Sequence, residues 1–190
     1  MTIKKLEQTS MSRSPTKFMD AMVRAGVDAV ILFPLAGPVT EYEWIIAAQE
    51  RDLGVIVGGE MTHPRFLEGD FSSGKNKYYD EIFRSLGMAN KSGFIRKHAP
   101  EWMYEMAARM GVTSFVVPGN KPERIMRYRS LIERCGVNEP TFFAPGFVEQ
   151  GGKISEGAKA AGERFHAIVG RGITGADYIR KAAEELTSQL

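Results

Sequence analysis

Two glycine-rich stretches late in the chain carry the residue types that grip an anion. "APGFVEQGG" (144–152) offers main-chain amides with little side-chain obstruction, and Gln150 adds a carboxamide donor. "IVGRGITGAD" (168–177) sets Gly170 and Arg171 directly after an apolar run, with a helical segment soon afterwards. A strand end, glycine amides, a helix N-terminus and one guanidinium together suit a phosphate, which Arg can hold through two oxygens at once. The same residues admit a plain structural use, in which the glycines make turns and Arg171 caps the end of the sheet through an ion pair.

Other chemistry-bearing residues are scattered. The three histidines, His63, His98 and His166, are far apart and show no metal-ligand spacing. His63 reads as structural, His98 as exposed and His166 as packing within a strand. No metal or cofactor is expected. Cys135, in "ERCG", has no neighbouring His and reads as a small buried hydrophobe. Lys77 and Asp80 in "KNKYYD" (75–80) stand three residues apart, which fits a solvated helix pair. In "EWMYEMAARM" (101–110), Trp102, Met106 and Met110 share a helix face, suited equally to core packing or to an interface.

The elements that must position these residues alternate. Short apolar, β-branched runs at 27–33, 53–59, 112–118, 140–146 and 165–171 read as buried strands, most of them ended by Gly or Pro. Segments of helical period lie at 15–26, 40–52, 99–111, 121–136, 154–162 and 175–190. This alternation predicts βαβ units around a parallel sheet. Gly-containing turns follow the strand ends, which suits a barrel whose site sits on its βα loops. The polar, Gly/Ser-rich segment at 63–98 reads as an insertion within one domain spanning 1–190, with a short helix around 77–86.

Composition narrows the class. With 25 basic and 23 acidic side chains interspersed, the net charge of +2 makes no basic patch, so nucleic acid is not an expected partner. No apolar run is long enough for a signal peptide or a membrane span. A single cysteine fits a reducing compartment, and the expected location is the cytoplasm.

"AGVDAVILFPLAG", "GGEMTHP", "NKPERI", "APGFVEQGG" and "IVGRGI" occur in an order and setting that resemble the archaeal-type orotidine 5′-phosphate decarboxylases. Any one of these motifs is weak, but "EMTHP", "PGxxxQGG" and "IVGR" at compatible spacing are specific. The resemblance runs from about Pro15 to the C-terminus, outside the polar insertion. It implies a (β/α)8 TIM-barrel fold, dimeric or otherwise oligomeric, that binds an orotidine or uridine monophosphate-type nucleotide in pyrimidine biosynthesis. By position, Thr62 would hold the pyrimidine edge and Pro145 would start the closing loop. Gln150 would bridge that loop to the phosphate, and Gly170 with Arg171 would grip it.

The chain departs from the family in three respects. Phe147, Glu149 and Lys153 stand where smaller or acidic residues are usual, and Phe33 replaces a histidine. The family's catalytic Asp-x-Lys-x-x-Asp has no counterpart, since the matching positions fall near Lys5, Glu7 and Ser10 and no Asp precedes Asp20. Five clear strands, with a weak sixth at 2–8, are fewer than a barrel's eight, so a barrel shortened at its N-terminus is expected. The catalytic residues stay unassigned. The expectation is a decarboxylase-like nucleotide binder of the carboxy-lyase family, inactive by itself or completed by another chain. The alternatives are a non-catalytic phosphate-binding barrel and an assembly subunit.

Overall fold

The computed structural model describes residues 3–7, 14–71 and 78–188. Six strands, β1 (Ile3–Glu7), β2 (Ala29–Phe33), β3 (Gly54–Gly58), β4 (Ser114–Val116), β5 (Thr141–Pro145) and β6 (Phe165–Ile168), stand in sequence order across one sheet. The β1–β2, β2–β3 and β3–β4 pairings are parallel, with Ala29 opposite Gly54 and Ile56 opposite Ser114. The weak strand expected at 2–8 is therefore β1. Runs such as "AVILF" are buried along almost their whole length, as parallel strands covered on both faces require.

Helices α1 (Pro15–Arg24), α2 (Pro38–Gln49), α3 (Tyr78–Ser85), α4 (Ala99–Arg109), α5 (Pro122–Arg134), α6 (Ile154–Ala161), α7 (Arg171–Thr174) and α8 (Ile179–Thr187) fill the connections. Three of them stop in the same way, at "AGV", "MGV" and "CGV". Gly26, Gly111 and Gly136 take positive φ, and the following valine N–H donates back to Met22, Ala107 or Ile132. Val27, Val112 and Val137 then turn into the core, completing the helix-ending motif that glycine's missing side chain permits. The helix expected from 175 begins four residues later, because Gly175 closes the short α7 by donating to the Arg171 carbonyl at 2.9 Å. Among the described residues, no helix is long and apolar enough to cross a membrane.

Contacts divide the chain into two compact units. The first comprises Met1–Gly59, Pro100–Val116 and Arg127–Phe142. Its core centres on Met19, Leu32, Ile45, Tyr104, Phe115 and Tyr128, all fully buried. The Tyr104 ring lies 4.6 Å from that of Tyr128 and edge-on to Phe115, while its hydroxyl donates to the Val116 carbonyl at 2.8 Å. Arg51 ties α2 to α1 through Asp20 at 2.6 Å. The Phe33 ring occupies the space beside Gly58, where a Cβ would come within 2.3 Å of it. A phenylalanine at this strand end thus serves packing.

The second unit comprises Glu60–Ala99, Val117–Met126 and Phe143–Leu190. Its segment at 63–98 is organised around Arg65. The guanidinium donates to the carbonyls of Ala89 and Lys91 and to Asp80, and it stacks 4.5 Å above the Phe83 ring. A bridge between Leu67 and Ile95 draws the two limbs of the segment together. Asp80 is therefore engaged with Arg65, and Lys77, its expected helix partner, lies outside the described residues.

Candidate functional site

The site expected from the sequence falls within the second unit, on turns that follow β3, β4 and β5. After β3 the chain carries Glu60 inward, leaving it 3% exposed. A buried carboxylate needs paired cations, and the "NKPER" turn after β4 supplies two. Lys121 Nζ and Arg124 Nε each donate to Glu60 at 2.8 Å. Pro122 starts α5 between them, so the three-residue spacing puts both cations on one helix face. This cluster fixes the "GGEMTHP" turn to the start of α5, two residues from Thr62.

Thr62 meets the 144–152 loop at Gly146. A Cβ on Gly146, whose φ is +111°, would stand 2.8 Å from Thr62 Cγ2, 3.2 Å from Gln150 Oε1 and 3.3 Å from the Asn120 main-chain nitrogen. Only glycine allows this approach. Asn120 joins through its side chain as well, Nδ2 donating to the Thr62 carbonyl at 3.4 Å, while Oδ1 is buried without a partner among the described residues. Pro145, at the end of β5, accepts the Gly119 amide at 2.8 Å and so sets the loop beside that turn.

The loop itself is packed down. Gly152 donates to the Gly146 carbonyl at 3.1 Å, and a Cβ on Gly152 would lie 2.9 Å from Asn120 Cα. Phe147, 4% exposed, anchors it: the ring covers Gly119 and Gly157 and meets Phe165 edge-on at 6.1 Å. Val148 opens a single 3-10 turn, Val148–Gln150, at φ +63°, a left-handed conformation that a β-branched residue adopts only under strain. Lys153 is fully exposed and bonds Glu156 at 2.8 Å, which holds its pKa above the usual lysine value. The Glu149 side chain lies outside the described residues.

Gly170 and Arg171 join this neighbourhood through α7. A Cβ on Gly172 would lie 3.3 Å from Val148, so the first turn of α7 packs on the 3-10 turn. Arg171 is exposed, and its guanidinium makes no hydrogen bond or ion pair among the described residues. The structure thus gathers Thr62, Pro145 and Gln150 about Gly146 and packs α7, which Gly170 and Arg171 open, on Val148 of the same loop. Among the described residues, no hydrogen bond or ion pair joins the Arg171 side chain to the other four. Reasoning from sequence missed Glu60, Lys121, Arg124 and Asn120. An acid directly after a buried strand and a Lys-x-x-Arg at a helix start were the available signals for the first three.

No protein-family model matches the chain. Among curated proteins, it is 31% identical to the orotidine 5′-phosphate decarboxylase of Methanosarcina barkeri over 166 residues, which is 87% of this chain and 61% of that protein. It is 28% identical to the Methanosarcina mazei enzyme over 171 residues, 90% of this chain and 63% of the other. The chain therefore spans about three fifths of the length of these relatives. Among solved structures, orotidine 5′-monophosphate decarboxylase from Methanocaldococcus jannaschii, complexed with the inhibitor BMP, matches at TM-score 0.70 and 20% identity, over 99% of this chain and 72% of that one. The Pyrococcus horikoshii orotidine 5′-phosphate decarboxylase matches at 0.63 and 22%, over 98% and 72%. The fold is thus of the TIM-barrel type, in a chain shorter than these neighbours.

Proposed function

The chain belongs to the orotidine 5′-phosphate decarboxylase family, and from that premise we propose that it binds a pyrimidine nucleoside monophosphate of the uridine type. One observation carries the reading: Thr62 and Gln150, from segments almost ninety residues apart, converge on Gly146 at the root of a glycine-rich loop. Thr62 faces the pyrimidine edge. Gln150 reaches from the loop towards the phosphate, and Gly170 with the exposed Arg171 receives it. A guanidinium without a partner among the described residues is well suited to gripping two phosphate oxygens. The loop that starts at Pro145 closes over the bound nucleotide.

Binding, and not decarboxylation by this segment alone, is the activity proposed. The family's reaction needs a lysine held protonated between acids, and the sequence has no Asp-x-Lys-x-x-Asp. The lysines described near the site do not supply a substitute, since Lys121 and Lys153 are each paired with a single acid, Glu60 and Glu156, and are not set between two. Turnover would require that motif to be contributed from outside this segment. Cytoplasmic pyrimidine nucleotide metabolism is the setting this reading implies. Isothermal titration with uridine monophosphate and with inorganic phosphate tests it. Saturable nucleotide binding that weakens at least tenfold, about 1.4 kcal/mol, in Arg171→Ala is expected. Heat-silent titrations of folded protein, repeated at two temperatures, would overturn it.

An assembly surface is the second reading, favoured by Trp102. It stands 64% exposed on α4, whereas Tyr104 and Ala107 of the same helix are fully buried. We infer that this face of α4 meets a partner, and a homodimer is the proposed occupant. Sedimentation of Trp102→Glu against the parent chain tests it: a parent that dimerises and a variant that does not are expected, and two monomers would overturn it.

A further inference from the structure

Asn120 sits at the turn between β4 and α5, and its carboxamide has a fixed orientation. Nδ2 donates to the Thr62 carbonyl. Flipping the group would set Oδ1 against that carbonyl, oxygen to oxygen, so the orientation is decided by the neighbour it must face. Oδ1 is thereby turned away from Thr62, buried, and without a donor among the described residues. Buried carbonyl acceptors are nearly always paired, and leaving one unpaired is costly. This orphan lies on the residue whose main-chain nitrogen meets Gly146 where Thr62 and Gln150 converge. The unpaired acceptor and the convergence of three segments are independent observations about one place.

We propose that Asn120 is a specificity-determining residue, its Oδ1 accepting the N3–H of a uracil-type base. This rests on the nucleotide reading above and adds to it a choice between pyrimidines. Uracil presents a donor at N3, whereas cytosine presents a lone pair there, which would face Oδ1 and leave both unpaired. A site built around a hydrogen bond rejects the analogue that lacks the partner, because the buried group then stays unsatisfied. The main chain of Gly146 and Gly152 packs on the main chain of Asn120, which sets the proposed base contact at the root of the 144–152 loop.

The test measures dissociation constants of uridine monophosphate, cytidine monophosphate and ribose 5-phosphate for the parent chain and for Asn120→Ala. The parent should prefer uridine monophosphate over cytidine monophosphate by about tenfold, the scale of one buried hydrogen bond. In Asn120→Ala that ratio should fall to roughly twofold through weaker uridine monophosphate binding, while ribose 5-phosphate binds as before. A purely structural Asn120 would weaken all three ligands together. If ribose 5-phosphate binds and the ratio is unchanged, the assignment of Asn120 fails while the nucleotide reading stands. If the folded parent binds neither nucleotide nor ribose 5-phosphate, both fall. Should the alanine variant not fold, Asn120→Leu, close to asparagine in shape and without polar atoms, carries the same test.

Discussion

Replacing Glu41 by glutamine should stabilise the fold at neutral pH and change nothing near pH 4.5. Glu41 lies in the first turn of α2, 2% exposed, with Oε1 unpartnered among the described residues. Burial in an apolar setting disfavours the charged form and pushes its carboxyl up from 4.5 to about 8. Because the folded pKa is the higher one, the carboxyl is neutral in both states below the unfolded value and costs nothing there. Between 4.5 and about 8 folding must take up a proton, so stability falls as pH rises. Each unit amounts to about 1.4 kcal/mol, which gives a penalty of about 3 kcal/mol at neutral pH and about 5 kcal/mol above the folded pKa. The helix dipole favours an anion at this position by only about 0.5 kcal/mol, too little to reverse the sign. Glutamine keeps the shape and does not titrate. Urea denaturation of both proteins across this range should show a stability gap that opens with rising pH. A gap that is constant with pH, or a variant less stable than the parent at neutral pH, would refute the account of a neutral buried carboxyl.

Three further outcomes follow from the geometry of the second unit. Val148→Gly should stabilise by about 1 kcal/mol, because the left-handed conformation costs a β-branched residue about 1–2 kcal/mol and glycine's extra unfolded-state entropy returns only part of it; equal or lower stability in denaturation contradicts the strain. Glu60→Ala should cost about 3–5 kcal/mol, since it strands Lys121 and Arg124 in partly buried positions; a change under about 1 kcal/mol, as at a surface ion pair, would contradict that cluster's role. Phe147→Ala should cost about 3–4 kcal/mol and loosen the 144–152 loop, with faster amide exchange at Gly151 and Gly152 as the readout; unchanged exchange would show that the ring does not hold the loop.

The strands and most helices could be read from the sequence because their signals are local. The helix stops at "AGV", "MGV" and "CGV" combine a left-handed glycine with a buried valine, and each lies within a few residues of the predicted end. The polarity of 63–98 pointed to an excursion but gave no hint that Arg65 would gather Ala89, Lys91, Asp80 and Phe83. At the site, Thr62, Gln150, Gly170 and Arg171 stood out through their motifs. Asn120 did not, because its interest comes from an acceptor left unpaired by packing, and packing between distant segments has no sequence period. Phe147 was legible only as a departure from the family pattern; its burial against Gly119 and Gly157 explains why a large ring is accommodated there. Glu41 reads as an ordinary exposed acid in the first turn of a helix, and only its burial makes it unusual.

The most direct test of the central claim is thermal unfolding of the chain with and without saturating uridine monophosphate, for the parent and for Arg171→Ala. At about 100 times the dissociation constant, the nucleotide should add about 2.7 kcal/mol of stability to the parent. Arg171 is exposed and its guanidinium makes no hydrogen bond or ion pair among the described residues, so its replacement should leave the unliganded midpoint in place and remove most of the nucleotide's effect. A parent whose midpoint does not move with nucleotide, or a shift that survives intact in Arg171→Ala, would contradict the proposed phosphate site.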